Sequence, residues 1–274
     1  MKVTIFTSNS IRHNYLCNYV SRFCTELNIV QEIDTFLIGK NYNQYNRISK
    51  TFSNYFEKVR LAEKKIFSEN YLNFKPNKQT INILNLKMGD LNLIKKDQIK
   101  KFLKSDIYIV FGCSFIKGFL ANYLIKKKAI NIHMGIAPYY KGADCNFWAM
   151  YENNVNCVGA TIHFLNKKLD SGDILYHANA DFHKNPFIYT MASVKSAIHS
   201  LRHVLKNKNY LKKYKTTTQS TYKNIITKYT KKSDFTEKII KKFYLGTKNK
   251  AKVSIKPILI KPFKLNKKNF FQNR

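Results

Sequence analysis

Residues 107–132 constrain the fold of this chain more than any other stretch. Ile107-Tyr108-Ile109-Val110-Phe111 is a continuous apolar run. A run without polar alternation marks a strand buried on both faces, as in a parallel sheet. Gly112 breaks it. Lys117–Lys126 then reads as a helix, and Ala129-Ile130-Asn131-Ile132 as another short strand. Strand, helix, strand is a βαβ unit, which implies a parallel sheet and an α/β fold.

The same alternation extends to both sides. Lys2–Thr7 is a strand by its β-branched and aromatic content. Ser8-Asn9-Ser10 is a helix start, and the helix runs to about Phe23, with Tyr15, Tyr19 and Phe23 on one face. Residues 29–38 read as a second strand, residues 40–50 as a polar loop and Thr51–Phe67 as a charged helix. Asp97–Lys104 is a short helix. Val158–Phe164 and Ile174–Phe182 are strands flanking a turn at Asp170-Ser171-Gly172-Asp173. A helix from about Phe187 to Leu205 carries the apolar stripe Phe187, Met191, Val194, Ile198, Leu201 and Leu205, and it should pack on the sheet. Beyond Lys206 lysine dominates. Residues 252–265 alternate in part and are interrupted by Pro257 and Pro262, as in an edge strand or a small β-containing appendage. No internal repeat is visible. The division expected is a domain over 1–207 and a basic segment or small subdomain over 208–274.

Composition narrows the class. The chain of 274 residues is 44% hydrophobic, enough for a substantial core. Its longest apolar segments are far shorter than a membrane span, and the N-terminus lacks the apolar region and cleavage site of a signal peptide. A cytoplasmic protein is expected. The five cysteines, Cys17, Cys24, Cys113, Cys145 and Cys157, form no C-x-x-C pair, so neither a disulfide framework nor a metal site is expected. The net charge of +33 is uneven: residues 201–274 hold 22 basic and 2 acidic residues, a net +20. Such a segment suits RNA, an anionic surface, an anionic small molecule, or solvent alone.

Chemistry concentrates after the βαβ unit. In Asn131-Ile132-His133, residues two apart point to one side of a strand, so Asn131 and His133 project together. They do so at the C-terminal end of a parallel strand, where open α/β sheets bind ligands. N-x-H alone is weak. The whole segment Asn131-Ile132-His133-Met134-Gly135-Ile136-Ala137-Pro138-Tyr139-Tyr140-Lys141-Gly142-Ala143-Asp144, with Phe147-Trp148 after it, resembles the active-site segment of folate-dependent formyltransferases. Val158-Gly159-Ala160-Thr161-Ile162-His163-Phe164 and Leu169-Asp170-Ser171-Gly172-Asp173-Ile174-Leu175 follow in family order. The resemblance is strong over 107–182. One departure is clear: the family's P-S-L-L-P is Met134-Gly135-Ile136-Ala137-Pro138 here, so the loop can take another shape.

The resemblance implies a Rossmann-like, mostly parallel open sheet of the formyltransferase type with a small basic C-terminal appendage. It implies 10-formyltetrahydrofolate as formyl donor and Asn131, His133 and Asp170 as the catalytic set. Asn131 and His133 would donate to the oxygen that gains charge, and Asp170 would orient His133 and raise its pKa. On residue type alone, Asp170 would be a turn residue, His163 a sheet residue, and Phe147 and Trp148 core. The loop Gly112-Cys113-Ser114-Phe115-Ile116 is expected to hold the pterin, mainly by backbone contacts, with Phe115 and Ile116 as its apolar wall. A Cys113–His nucleophile is a remote alternative. Ser8, Asn9, Ser10 and Arg12 at a helix start suit a phosphate of the acceptor, with a plain helix cap as the equal alternative. Lys141 faces either the acceptor or solvent. The details resemble sugar-modifying relatives more than tRNA-modifying ones, so the acceptor expected is an amino sugar or a nucleotide-linked amino sugar. Methionyl-tRNA formyltransferase activity is the alternative, supported by the basic tail. Only 104 residues follow Asp170, short for that branch's C-terminal barrel. For 208–274 the remaining options are a homodimer contact or an anion site. Because it lies outside the matched motifs, its removal is expected to spare folate binding.

Overall fold

A computed structural model describes residues 1–33, 49–68, 71–74, 79–206, 211, 215–222, 225, 228–245 and 255–272. The strands are β1 (Lys2–Ser8), β2 (Glu26–Ile33), β3 (Thr80–Lys87), β4 (Ile107–Phe111), β5 (Ile130–His133), β6 (Tyr140–Gly142), β7 (Ala160–Phe164), β8 (Ile174–Ala180), β9 (Lys228–Thr230) and β10 (Phe263–Leu265). The helices are α1 (Ile11–Ser21), α2 (Lys50–Phe67), α3 (Lys96–Ile99), α4 (Gly118–Lys126), α5 (Cys145–Tyr151), α6 (Pro186–Ser200), α7 (Arg202–Leu205) and α8 (Glu237–Tyr244). The end of the second strand and the loop read over 40–48 lie outside the described residues.

Eight strands form one sheet in the order β10-β8-β7-β5-β4-β1-β2-β3. Strands β3, β2, β1, β4 and β5 run parallel, β7 is antiparallel to both its neighbours, and β10 is parallel to β8. The α/β class read from the 107–132 unit is the one observed, and β4 is buried along its whole length. Alternate residues of each central strand feed two cores. Val3, Ile5, Ile107 and Ile109 join Leu16, Val20, Ile66 and Ile198 on one face, under α1, α2 and α6. Phe6, Tyr108 and Val110 join Leu120, Leu124 and Leu103 on the other. No described helix is long and apolar enough to cross a membrane.

Because β1, β4 and β5 are parallel, their C-terminal ends at Ser8, Phe111 and His133 share one edge. The chain changes direction there: β2 and β3 lie on one side of β1, β4 and β5 on the other. Ligands bind at such a reversal.

The described part of the stretch after 207 meets the body of the protein in three places, one of them the edge strand that residues 252–265 suggested. Thr217 bridges Ile174, β9 pairs with β6 in a two-stranded ribbon, and β10 extends the main sheet. Ile240, Leu265 and Phe270 are part of the larger core. The Lys195 ammonium in α6 is buried and donates to the carbonyls of Ile66, Phe270 and Gln272 at 3.2, 2.9 and 2.7 Å. It thereby ties α2, α6 and the C-terminal segment together. Burial pulls this lysine down to about 8.

Candidate active site

Asn131, His133 and Asp170 meet at the C-terminal edge of β5. Asn131 and His133 alternate with buried Ile132 along the strand, as their spacing requires. The Asp170 loop joins β7 to β8 and lies beside them. His133 Nδ1 is 3.2 Å from Asp170 Oδ2, and His133 Nε2 donates to the Tyr140 carbonyl at 3.0 Å. Both ring nitrogens face acceptors, and only an imidazolium can donate from both. Burial lowers the imidazole, but the Asp170 carboxylate, Cys145 and the Tyr140 carbonyl outweigh it, pushing His133 up to about 9. The Gly142 N–H also donates to Asp170 Oδ2, at 3.0 Å.

His163 sits opposite Asn131 in the β5–β7 register. Its Nδ1 donates to the Phe164 carbonyl at 2.8 Å, so Nε2 is free of hydrogen and accepts from Asn131 Nδ2 at 3.0 Å. Burial pulls His163 down to about 4, in keeping with a neutral ring. Asp170 Oδ1 is 3.9 Å from the same nitrogen. The Asn131 amide is thus oriented by His163, and its second N–H remains available for a ligand. His163 is a sheet residue, as its sequence setting suggests, and it also aims Asn131.

Asp170 has a φ of 45°, a left-handed conformation that costs a residue with a side chain of order 1 kcal/mol and must be held from outside. Gln219 holds it. Its amide donates to the Asp170 and Gly172 carbonyls, both at 2.9 Å. The loop after His133 is fixed similarly. The Thr161 hydroxyl donates to the Gly135 carbonyl at 2.6 Å and accepts from the Ala137 N–H at 2.8 Å. His177, fully buried, accepts at Nδ1 from the Ile260 N–H (2.8 Å), so its Nε2 donates to the Ala137 carbonyl (3.1 Å). The Ile258 N–H donates to the Tyr139 hydroxyl at 2.9 Å. Three of these supports (Gln219, Ile258 and Ile260) come from the basic C-terminal segment. Sequence reading did not single out Gln219, His177 or Cys145; Gln219 and His177 act through partners distant in the chain.

The departure at Met134-Gly135 has a physical reason. A Cβ at Gly135 would lie 2.6 Å from the Cys145 Cβ and 2.7 Å from His133 Nε2. Only glycine leaves room for the imidazole to reach the Tyr140 carbonyl. At Gly142 (φ 99°) a Cβ would lie 2.1 Å from the Thr230 carbonyl oxygen, so close pairing with β9 also needs glycine there.

The loop expected to hold a pterin follows β4. Gly112 presses against the buried His13 ring, and the Ser8 hydroxyl is 2.6 Å from His13 Nδ1. Burial holds His13 well below the ordinary histidine range and pushes the Cys113 thiol well up. Cys113 is thereby kept a thiol. Buried Glu32 accepts from the N–H groups of Gly89, Leu91 and Ser114 at 2.9, 3.3 and 2.6 Å. Asn92 holds the Phe115 carbonyl and the Lys117 N–H at 2.9 and 2.7 Å. Two of the expected backbone contacts, the Ser114 N–H and the Phe115 C=O, are therefore already used within the protein. The Phe115 ring is exposed at the loop tip, whereas Ile116 packs into the core under α4. A ligand can take its apolar contact from Phe115 and not from Ile116.

Ser8, Asn9, Ser10 and Arg12 lie at the end of β1, two strands from β5. Ser10 caps α1 without a side-chain bond. Arg12 is committed to Glu63 at 2.9 Å through its guanidinium and again through its N–H. Among the described residues this cluster makes no hydrogen bond to Asn131, His133 or Asp170. Lys141, by contrast, lies next to Gly142 in β6, beside Asp170. No group of acids, histidines or cysteines among the described residues could hold a metal. A groove of about 520 Å³ between α2, the start of α6 and α8, floored by Ala62, Phe187, Ile188 and Phe243, lies apart from the cluster.

A mostly parallel open sheet with Asn, His and Asp converging at the end of β5 defines the class, an α/β protein with a polar cluster at a strand-order reversal. Residues 72–205 match the family model described as Formyl transferase, so this stretch is a formyltransferase domain. Among solved structures, the chain is similar to a sugar N-formyltransferase from Shewanella sp FDAARGOS_354, at 16% identity and a TM-score of 0.51, covering 86% of this chain and 78% of that one. It is also similar to a 4-N formyltransferase from Francisella tularensis, at 18% identity and a TM-score of 0.51, covering 85% and 77%. At these identities the likeness is one of fold. No curated protein matches the sequence.

Proposed function

We propose that the chain moves the formyl group of 10-formyltetrahydrofolate to the amine of an amino sugar, with Asn131, His133 and Asp170 as the catalytic residues. One observation carries this reading: a buried imidazolium at His133, paired with Asp170, stands beside an Asn131 amide that His163 has already aimed. Bound formyl-folate would supply the carbonyl that the amine attacks. As the bond forms, negative charge grows on the formyl oxygen. The free N–H of Asn131 is a preorganised donor for that oxygen, and the fixed positive charge of His133 stabilises it. His133 gives a direct hydrogen bond if Nε2 turns from the Tyr140 carbonyl. Asp170 keeps the imidazole charged and oriented, and it can take the proton the amine loses through His133. No covalent nucleophile is required. The exposed Phe115 ring, in the loop after β4 next to β5, and the Asp170 loop suit the folate.

Several features support a small acceptor. The solved structures described as sugar N-formyltransferase and 4-N formyltransferase share the fold, and the described parts of 208–274 pair with β8 and β6 and support the site's loops. The concentration of charge in 201–274 favours tRNA as a second reading. The experiment is direct. The protein is incubated with 10-formyltetrahydrofolate and either nucleotide-linked amino sugars or methionyl-tRNA, and the products are weighed. Gain of one formyl group by an amino sugar supports the first reading. Formylation of methionyl-tRNA alone would replace it with the second.

A further inference from the structure

Glu32 lies at the C-terminal end of β2, opposite Ser8 of β1 in the parallel register. Its side chain is fully buried, and among the described residues no lysine, arginine or histidine pairs with it. Burying a carboxylate without a cation is costly, and it persists only where several donors meet it. Here three backbone N–H groups do, divided between its two oxygens. Oε1 accepts from Gly89 and Leu91 at 2.9 and 3.3 Å, and Oε2 accepts from Ser114 at 2.6 Å. One oxygen therefore holds the turn after β3, and the other holds the loop after β4. Strands β2 and β4 are not neighbours, since β1 lies between them. The carboxylate spans the end of β1 to join the two loops.

Further bonds run the same way. The exposed Asn92 side chain accepts from the Lys117 N–H and donates to the Phe115 carbonyl. The Ser114 hydroxyl donates to Met88 Sδ at 3.6 Å. Ser114 and Phe115 are thus fastened to the 88–92 turn as well as to Glu32. The Phe115 ring itself is 48% exposed and belongs to neither core. The fastening therefore fixes an aromatic side chain that the fold does not use. A loop ordered in advance spares a ligand the entropy of ordering it on binding.

We propose that Glu32 is a positioning residue for the formyl donor: by tying the loop after β4 to the turn after β3, it fixes the Phe115 ring for formyl-folate and sets donor affinity, not the rate of transfer. This rests on the reading above that formyl-folate is the donor and that Phe115 contacts it. It is independent of which amine accepts the formyl group.

The test is calorimetric titration of the full chain with 10-formyltetrahydrofolate and no acceptor, followed by transfer kinetics. In Glu32→Gln one oxygen becomes an NH2 that cannot accept, so one of the two loops is released. Donor Kd and KM are expected to rise about tenfold, with kcat at saturating donor within about twofold of wild type. Phe115→Ala should weaken the donor by a similar factor. The double variant should bind little worse than either single one, because both changes remove the same contact. A glutamate needed only for stability would lower Tm without that coupling. Should Glu32→Gln fail to fold by circular dichroism, Asn92→Ala at its exposed position releases the same loop; there a raised donor KM with kcat retained supports the proposal, and an unchanged KM overturns it. Donor affinity that Glu32→Gln leaves unchanged, or losses that simply add to those of Phe115→Ala, overturn the proposal alone. Absence of folate binding by the wild-type chain overturns the donor reading and the role of Glu32 with it.

Discussion

The His133–Asp170 pair sets the pH behaviour of the site. His133 has a pKa raised to about 9, above its unfolded value near 6.5. A raised histidine contributes stability that is fully present below about 6.5 and is lost as pH rises through 9. In an NMR titration His133 should stay an imidazolium from pH 6.5 to 8, and transfer should decline as pH passes about 9. In Asp170→Asn the lowering by burial should prevail, and the ring should be neutral at pH 7; an unshifted titration would show that Asp170 does not hold the charge. Gln219 acts one step further out. Since it clamps the left-handed Asp170 turn, Gln219→Ala should lower kcat on the order of tenfold, with the donor's KM little changed. Equal losses in kcat/KM and thermal stability, with kcat intact, would leave Gln219 only a structural part. Of the three catalytic candidates, strand alternation places Asn131 and His133 together, whereas Asp170 was legible only through the family resemblance. Gln219, His177 and Cys145 were not, because nothing local marks them: Gln219 reaches Asp170 across 49 residues.

Among the elements, β4, α4 and β5 were legible for a simple reason. A continuous apolar strand, an amphipathic helix and a second short strand each carry their own periodicity. The stripe over 187–205 likewise marks α6 and α7, with the break at Leu201 invisible to it. The three-residue β6, β9 and β10 are too short for any period, and Pro257 and Pro262 disguise the approach to the last. Their pairing is set by partners far away in sequence, so the C-terminal segment looked separable. In the structure those pairings join the segment to the main sheet and to β6. Removing residues 208–274 would take away β10, deprive buried Lys195 of the Phe270 and Gln272 carbonyls, and release the Asp170 and Ala137 loops. Each buried polar group left unmet costs about 1–3 kcal/mol. Truncation after Lys206 is therefore predicted to abolish cooperative urea unfolding and folate binding together. A truncated chain that still unfolds cooperatively and binds folate would contradict this account of the segment.

At the scale of the whole molecule, the net charge of +33 creates a field that draws anionic ligands to the protein at low salt. For an acceptor bearing phosphate, kcat/KM should fall severalfold between 50 and 300 mM salt, because screening shortens the reach of that field, while kcat stays nearly constant. A neutral amine acceptor should show no such dependence. The charge was plain in the sequence, but its relation to the site was not. The described part of the basic segment pairs with β6 and bonds the Asp170 loop.

The central claim is that Asn131, His133 and Asp170 together carry formyl transfer. The most direct measurement compares the wild-type chain with Asn131→Ala and Asp170→Asn in single-turnover transfer from 10-formyltetrahydrofolate to a nucleotide-linked amino sugar, read by the mass of the product. The account predicts one formyl group gained with the wild type and a loss of about 100-fold or more in each variant, all three folded alike. Transfer by either variant at the wild-type rate would contradict it.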